Sequence, residues 1–133
     1  VSWFLICSIL NKKISIFGDG KQVRDVLHID DLVNLFYKIY INKKKINKRI
    51  FNCGGGPKNS LSILELCKTL NVISKNKMKF QFRKERKGDQ KIFISNNLLL
   101  KKNFNWKPKV NKFYGIKSLY DWTKSNLSDF KKI

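Results

Sequence analysis

The sequence contains no alanine, only two prolines, only four arginines and only nine acidic residues among its 133 positions. The scarcity of proline, together with seven glycines, excludes collagen-like, linker-like and polyproline-dominated chains. No apolar run approaches the roughly 20 residues that a transmembrane helix requires, so a membrane is not an expected partner. One histidine and three scattered cysteines cannot supply the four closely spaced ligands of a structural zinc site, and no metal is expected.

Cysteine usage points to a reducing compartment. Cys7, Cys53 and Cys67 form no C-x-x-C pair, and each lies in an apolar segment. An odd number of such residues predicts small buried hydrophobic side chains rather than disulfides. We therefore expect a cytoplasmic protein.

The sequence is strongly basic, with 29 lysines and arginines against nine acids and a formal net charge of +20. Such a charge is typical of proteins that bind nucleic acid or an anionic surface. However, 25 of the 29 cations are lysines, whereas specific recognition of phosphates and bases relies on the planar fork of arginine. Abundant lysine, asparagine and isoleucine without alanine also result from an AT-rich coding sequence. The charge alone therefore assigns no function.

The length and the apolar content predict a folded domain. Hydrophobic residues make up 42% of the chain and aromatic residues 13%, which is enough to drive collapse around a core. The chain opens on a dense apolar segment, Val1–Leu10, with neither an initiator methionine nor the basic region of a signal peptide. We therefore expect the sequence to begin partway through a larger polypeptide.

Helical and extended patterns alternate along the chain without repeats or linkers, which predicts an α/β or α+β fold. The apolar periodicity predicts strands over 14–17, 24–29, 49–53, 78–83 and 92–95. It predicts helices over 1–11, 30–42, 97–104 and 112–126, and another that begins at the capping-box pattern Ser62-x-x-Glu65. Asp30 and Asp31 are expected to cap the helix over 30–42 and to place negative charge in its first turn.

The segment G-D-G-K-Q-V-R-D, from Gly18 to Asp25, allows two interpretations. By itself it is typical of a glycine hairpin with a polar tip. Alternatively Arg24, one of only four arginines, lies at the base of a strand where its planar fork could neutralise a phosphate. Asp25 would then orient Arg24 or cap backbone amides rather than contact the ligand.

The triple glycine Gly54–Gly56 follows a predicted strand and precedes a helix, a position where backbone amides can hold phosphate. The spacing is not G-x-G-x-x-G, and the Gly-Lys-Ser/Thr of a P-loop is missing. A structural turn is therefore the favoured interpretation. A structural role is also expected for His28, because nothing near it in sequence forms a catalytic dyad.

Arg86 and Asp89 share one polar loop, K-E-R-K-G-D-Q, in a sequence that is poor in both residue types. Arg86 could bind a diphosphate while Asp89 accepts hydrogen bonds from sugar hydroxyls. A surface ion pair between positions i and i+3, worth ~0–1 kcal/mol, explains the pair equally well.

The sequence lacks recognisable catalytic motifs. The sequence has no G-x-S-x-G and no recognisable Cys–His pairing, and Tyr40 to Lys44 matches Tyr-x-x-x-Lys by spacing only, within a lysine run. Phe80 and Phe82 alternate with polar residues as in an RNA-binding sheet, but the residue order of an RNA-recognition motif is absent. Beyond non-specific binding through charge, nucleic acid is therefore not expected as a partner.

Four segments together carry a family resemblance: ISIFGDGKQVRDVLHIDDLV (14–33), IFNCGGGPKNSLSILEL (50–66), ERKGDQ (85–90), and FNWKPKV followed by GIKSLYDW (104–122). In this order they resemble the C-terminal part of extended short-chain dehydrogenase/reductases, the NAD-dependent nucleotide-sugar epimerases and dehydratases. KQVRDVLH, GGGPxNS and GDQ are most similar to the members that act on CDP-sugars. The resemblance implies an α/β fold in which residues 1–133 form the substrate-binding C-terminal portion.

The resemblance implies roles for five residues. Arg24 matches the family arginine that contacts the diphosphate of the nucleotide sugar, and Arg86 matches a second diphosphate arginine. Ser15 and Phe17 match the segment whose backbone and ring bracket the nucleobase, and Asp89 matches the acid that meets the ribose hydroxyls.

The sequence departs from the family pattern at three places. Asn96 stands where the family usually has aspartate, Asn105 precedes Trp106 where glycine is usual, and Cys53 replaces a branched aliphatic residue. These departures are expected to affect packing and turns without disabling the site.

The resemblance also implies what these 133 residues do not carry. In the family, the G-x-x-G-x-x-G of the dinucleotide fold and the catalytic Ser/Thr and Tyr-x-x-x-Lys lie upstream, so no catalytic or NAD-binding residue is expected in this chain. The full enzymes oxidise a sugar carbon transiently with tightly held NAD⁺ and return the hydride to the opposite face.

The elements at 30–42 and 49–53 would pack on that Rossmann core, and the parent enzyme would be a homo-oligomer. Two alternatives stay open. One is a UDP- or dTDP-sugar epimerase or dehydratase of the same family, and the other is a basic nucleic-acid-binding module.

Overall fold

The computed structural model describes residues 1–46 and 50–130. Within them the helices are α1 (Ser2–Ile9), α2 (Ile29–Ile41), α3 (Ile63–Ser74), α4 (Leu98–Phe104) and α5 (Lys112–Ser125). The strands are β1 (Ile14–Phe17), β2 (Val23–Asp25), β3 (Ser60–Ser62), β4 (Phe80–Arg83) and β5 (Ile92–Phe93). Strand β1 pairs with β4 in parallel, and the other three strands pair in the order β3-β2-β5. The fold is therefore α/β, as the family resemblance implies.

The chain forms two compact units that alternate along the sequence. The first contains Val1–Val23, Leu61–Ile92 and Phe113–Ile133, and the second contains Arg24–Ser60 and Phe93–Lys112. None of the points at which the chain passes from one unit to the other has the composition of a linker, so the sequence did not indicate this division.

The parallel pair of β1 and β4 organises the first unit. Ile14 and Ile16 are buried, whereas Ser15 and Phe17 alternate with them and are half-exposed, because successive side chains of a strand point to opposite faces. The strands are in register, with Ser15 opposite Gln81. The strand predicted over 14–17 is thus confirmed. Other buried apolar residues of this unit are Leu5, Ile6, Cys7, Leu61, Leu66, Cys67, Leu70, Met78, Ile116 and Tyr120.

The predicted capping box begins α3. The Ser62 hydroxyl accepts a hydrogen bond from the Glu65 backbone N–H at 3.1 Å, and the Glu65 carboxylate accepts one from the Ser62 N–H at 2.7 Å. Two of the amides left unpaired at a helix start are satisfied in this way. The N–H of Leu64, also in the first turn of α3, donates to the Gly20 carbonyl at 3.1 Å. The start of α3 is therefore hydrogen-bonded to the loop between β1 and β2.

The start of α2 differs from the prediction. The strand expected over 24–29 ends at Asp25, and the helix begins at Ile29. The N-cap is His28, whose Nδ1 accepts a hydrogen bond from the Asp30 N–H at 3.2 Å. The prediction that Asp30 and Asp31 cap the helix was therefore wrong, although both acids lie in its first turn. The structural role expected of His28 is confirmed.

The core of the second unit surrounds Trp106, which is 1% exposed and packs with Leu35, Leu100 and Phe104. Partly buried residues packed against it are Leu27, Ile39, Ile46 and Phe51. The Phe51 and Phe104 rings meet edge to face, with 5.3 Å between centroids, an arrangement favoured by the charge distribution of aromatic rings. The strand predicted over 49–53 is not formed by residues 50–53, because none of the described strands pairs with them. Arg49, the first residue of that prediction, lies outside the described residues.

The apolar stripe of α2 is only partly buried. Leu35 faces the core, but Phe36 and Tyr40, apolar residues of the same helix, are 61% and 73% exposed. They form an exposed apolar face with Ile29, Val33, Tyr37 and Ile41. Large exposed apolar patches of this kind are unusual on the surface of a monomeric soluble protein. The packing of this helix on a dinucleotide-binding core stays a prediction.

Two departures from the family pattern have a visible structural solution. Asn105 ends α4 in the left-handed conformation, with φ 46°, a region that asparagine tolerates better than other side chains. The Asn96 side chain accepts a hydrogen bond from the Leu98 N–H at 3.0 Å, which satisfies an amide at the start of α4. No helix within residues 1–46 and 50–130 has the length and apolar character needed to cross a bilayer.

Candidate functional site

A cleft of about 480 Å³ opens in the first unit. Four of the five residues proposed from the sequence line it, namely Ser15, Phe17, Arg86 and Asp89. The rest of the lining consists of Trp3, Phe4, Lys13, Ile16 and Ile63. The cleft therefore combines aromatic and aliphatic walls with a few polar groups, which is the usual character of a small-molecule site.

Strand β1 carries Ser15 and Phe17 on the same, partly exposed face. Ser15 receives a hydrogen bond on its Oγ from Gln81 Nε2 of β4 at 3.2 Å. Phe17 ends the strand, and the next residue, Gly18, donates its N–H to the Arg83 carbonyl at 2.9 Å. The backbone that carries the aromatic ring is therefore held on a paired strand and not on a free loop.

Arg86 stacks on Phe17, with its guanidinium carbon 4.0 Å from the centroid of the ring. A guanidinium in this position is attracted to the ring face and keeps its N–H groups free at the edge. The i,i+3 ion pair considered for Arg86 and Asp89 is not formed between these described residues. The two are joined by a backbone hydrogen bond instead, from the Asp89 N–H to the Arg86 carbonyl at 3.2 Å.

Gln22, in the loop between β1 and β2, contacts two residues that line the cleft. Its Nε2 donates to the Phe17 carbonyl at 2.5 Å and to the Asp89 carboxylate at 3.4 Å. Gly18 has φ +77°, and a Cβ there would lie 2.9 Å from the Gln22 amide nitrogen. Glycine is thus required both for the backbone conformation and for the space that the glutamine side chain occupies.

Arg24, the fifth proposed residue, lies on β2 in the second unit and is half-buried. Its neighbour Asp25 caps backbone amides, since its Oδ2 accepts from the Gly56 N–H at 2.7 Å and from the Ser95 N–H at 3.2 Å. Asp25 was expected either to orient Arg24 or to cap backbone amides, and the structure shows that it caps backbone amides.

The triple glycine is a structural turn and not a phosphate cradle. The Gly54 N–H donates to Asn97 Oδ1 at 3.2 Å, and the Gly56 N–H donates to the Asp25 carboxylate. A Cβ on Gly55 would lie 1.9 Å from the Val26 carbonyl oxygen, so glycine is required there for close packing of backbone. These amides are not available to the pyrophosphate of a dinucleotide, and this turn does not fit NAD.

The cysteines do not resemble catalytic nucleophiles. Burial raises the pKa of the thiols of Cys7 and Cys67, and at the exposed Cys53 partial desolvation and the Asp25 carboxylate raise the pKa. Thiols with raised pKa values stay protonated and weakly nucleophilic at neutral pH. Cys53 is exposed rather than buried as expected. Within the described ranges, no group of three or more His, Cys, Asp or Glu residues is placed to hold a metal ion.

Sequence reasoning missed Trp3 and Lys13, which line the cleft, and Gln22 and Gln81, whose side chains contact lining residues. Gln81 contacts Ser15 because the parallel register sets the two residues opposite each other, and pairing between distant strands is not visible in the local sequence. Gln22 lies inside the quoted G-D-G-K-Q-V-R-D motif, so its position in that motif was the only signal that could have singled it out.

The comparisons with known proteins agree on one family. Residues 3–54 match the model of the NAD dependent epimerase/dehydratase family. Over 130 residues the chain is 38% identical to CDP-paratose 2-epimerase of Salmonella typhi, covering 94% of this chain and 38% of that protein. It is 34% identical over 122 residues to UDP-glucuronate 4-epimerase of Thermodesulfobacterium geofontis, covering 92% of this chain and 36% of the relative.

Solved structures give the same result. UDP-glucuronic acid 4-epimerase from Bacillus cereus, in complex with UDP-glucuronic acid and NAD, superimposes with a TM-score of 0.85 at 28% identity. The match covers 92% of this chain and 38% of that one. UDP-glucose 4-epimerase from Thermotoga maritima, with UDP-glucose, matches with a TM-score of 0.81 at 26% identity, covering 94% and 39%. The chain thus spans about two fifths of the length of these four proteins.

Proposed function

The chain resembles the C-terminal part of the NAD-dependent nucleotide-sugar epimerases and dehydratases along most of its length, and from this premise we propose that it binds the nucleotide diphosphate of a nucleotide sugar. Phe17 and Ser15 would bracket the nucleobase, Asp89 would accept hydrogen bonds from the ribose, and Arg86 would bind the diphosphate. Arg24 would supply a second cation to the diphosphate. A CDP-sugar is the proposed substrate, with 2-epimerisation as the reaction of the whole enzyme, because the relative with 38% identity is named CDP-paratose 2-epimerase.

The observation that carries this proposal is the stacking of Arg86 on Phe17 in a cleft that Asp89 also lines. A flat aromatic surface, a planar cation and a carboxylate match the three parts of a nucleoside diphosphate, which are base, phosphates and hydroxylated sugar. The guanidinium presents several donors in one plane and can bind phosphate oxygens in pairs.

The redox chemistry is proposed to lie outside this chain. NAD, when bound in such an enzyme, supplies reversible oxidation of the sugar, and neither the triple-glycine turn nor any sequence motif here fits it. The residues of this chain would bind and orient the substrate, which uses binding energy remote from the reacting carbon. The working assembly is proposed to be a cytoplasmic homo-oligomer.

We expect the purified 133-residue chain to leave CDP-paratose unchanged, because it carries no hydride-transfer or proton-transfer residues. The assay is chromatographic detection of the epimer after prolonged incubation with NAD⁺. Full-length CDP-paratose 2-epimerase of Salmonella typhi serves as the positive control. Epimer formation by the chain alone would contradict the proposed division of labour.

Competition between nucleotides tests the proposed substrate class. Calorimetric titration of the chain with CDP, UDP and dTDP at 0.15 M salt is expected to give the tightest binding for CDP. Tightest binding of UDP or dTDP would replace the CDP-sugar assignment by another member of the same family. Absence of binding by all three would overturn the proposed function.

Replacing Arg24 by alanine is expected to weaken CDP binding by about tenfold or more, because a charge-assisted hydrogen bond contributes about 1.5–3 kcal/mol. Arg83→Ala is the matched control, since it removes the same charge from an exposed side chain of β4. Circular dichroism of both variants checks that they remain folded. Equal weakening by the two substitutions would assign the effect to net charge and not to Arg24.

The net charge of +20 supports one function of a different class, non-specific binding to nucleic acid. That function predicts strong binding to duplexes of arbitrary sequence, with an affinity that falls steeply with salt concentration. It also predicts that Arg24→Ala leaves DNA affinity almost unchanged, since one of 29 cations is lost. Tight DNA binding without measurable CDP binding would favour this alternative.

A further inference from the structure

We infer that Gln22 is a positioning residue for the ribose end of the cleft, because its amide anchors the Asp89 carboxylate to strand β1. This inference rests on the proposed function. The Nε2 atom carries two hydrogens, and its two acceptors are the Phe17 carbonyl at 2.5 Å and Asp89 Oδ2 at 3.4 Å. One side chain thus connects the residue that carries the aromatic surface to the residue that carries the carboxylate.

The two ends of this connection differ in rigidity. Phe17 lies on a paired strand, opposite Arg83 of β4. Asp89 lies in the loop between β4 and β5, directly after Gly88, which has φ +81°. A carboxylate on a loop needs support from a rigid element if it is to meet ligand hydroxyls in one orientation, and Gln22 provides it across 67 positions of sequence.

The other half of the Gln22 amide argues against a purely stabilising role. Its Oε1 is buried and has no hydrogen-bond partner among the described residues. A buried acceptor without a partner is unfavourable for folding, and an apolar side chain of similar size would avoid that loss. Gly18, whose missing Cβ leaves the space for the Gln22 amide, is a second residue of the same loop adapted to this arrangement.

The test compares the affinities for CDP and 2′-deoxy-CDP, since only CDP carries the 2′-hydroxyl. Titration of the wild-type chain is expected to show a preference for CDP of about tenfold, the value of one hydrogen bond to a charged acceptor. Asp89→Asn is expected to reduce this preference severalfold. Gln22→Met keeps the side-chain volume but removes both donors, and it is expected to lower the CDP preference severalfold while affinity for 2′-deoxy-CDP changes less than twofold.

Gln90→Met is the matched control, because Gln90 is an exposed glutamine beside Asp89, and its CDP preference is expected to equal that of the wild type. Gln22→Asn, which keeps an amide but withdraws it by one methylene, provides a second variant should Gln22→Met unfold. Thermal unfolding of each variant separates loss of fold from loss of preference.

The possible failures are distinguishable. A wild-type chain that binds no nucleoside diphosphate overturns the proposed function together with this role. A wild type that prefers CDP, with folded Gln22→Met or Gln22→Asn variants that keep the same preference, overturns the role of Gln22 alone. A fall in affinity that is equal for CDP and 2′-deoxy-CDP would identify Gln22 as a merely structural residue.

Discussion

Replacing Asp31 by alanine is expected to lower the free energy of unfolding by about 3–5 kcal/mol, the largest stability effect of any single substitution considered for this chain. Asp31 is 4% exposed in the first turn of α2. Its carboxylate accepts hydrogen bonds from the backbone N–H groups of Lys109 and Val110, each at 3.0 Å. Truncation leaves both amides without their charged acceptor, close to the core around Trp106.

Urea denaturation followed by tryptophan fluorescence measures this effect. Trp106 is buried, and its Nε1 donates to the Asp31 carbonyl at 3.1 Å, so its emission reports on the affected region. A loss of 3–5 kcal/mol lowers the midpoint by roughly 1–3 M urea for a slope of about 1.5–3 kcal/mol/M. Asp30→Ala is the matched control, because that side chain is 80% exposed and contributes about 0.3–1 kcal/mol through the helix dipole. Equal midpoints for both variants would contradict the role of the Asp31 contacts.

Replacing Arg86 by alanine is expected to weaken CDP binding by about 10- to 100-fold, the largest functional effect of a single substitution. The side chain supplies two things to the cleft, a planar surface over Phe17 at 4.0 Å and donors for phosphate oxygens. Arg86→Lys keeps the charge but loses the plane and the paired donors, so it is expected to recover only part of the affinity.

The control for Arg86 is Lys87→Ala, an exposed neighbour on the same loop that carries the same charge. Titrations at 0.05 M and 0.3 M salt distinguish local binding from long-range attraction, because salt screens charges separated by more than about a Debye length. We expect the effect of Arg86→Ala to persist at the higher salt concentration. An equal loss in Lys87→Ala would mean that the loop acts through its total charge.

The elements that local sequence specifies were predicted well. The capping box of Ser62 and Glu65 and the strand over 14–17 each depend on residues within a few positions of one another, and both are present. The start of α2 was misplaced because a histidine ring nitrogen caps it, and histidine is not among the residues that usually signal a helix start.

Contacts in the second unit and at the candidate site both join distant parts of the chain. Asp31 meets Lys109 across 78 positions, and Gln22 meets Asp89 across 67. The local sequence left Arg86 and Asp89 equally compatible with an ion pair and a ligand site, and it gave no sign that the guanidinium lies over Phe17. Family resemblance assigned roles to Ser15, Phe17, Arg86 and Asp89, and those roles stay predictions, although the four residues do line one cleft.

The alternation of the two units along the sequence limits how this chain can be recombined. The chain passes between them after Val23, Ser60, Ile92 and Lys112, so neither unit is encoded by a contiguous stretch. A single proteolytic cut cannot release one unit whole, and a single genetic crossover cannot exchange one unit between relatives. Exchange of one unit between relatives would therefore require several crossovers, at the positions where the chain passes from one unit to the other.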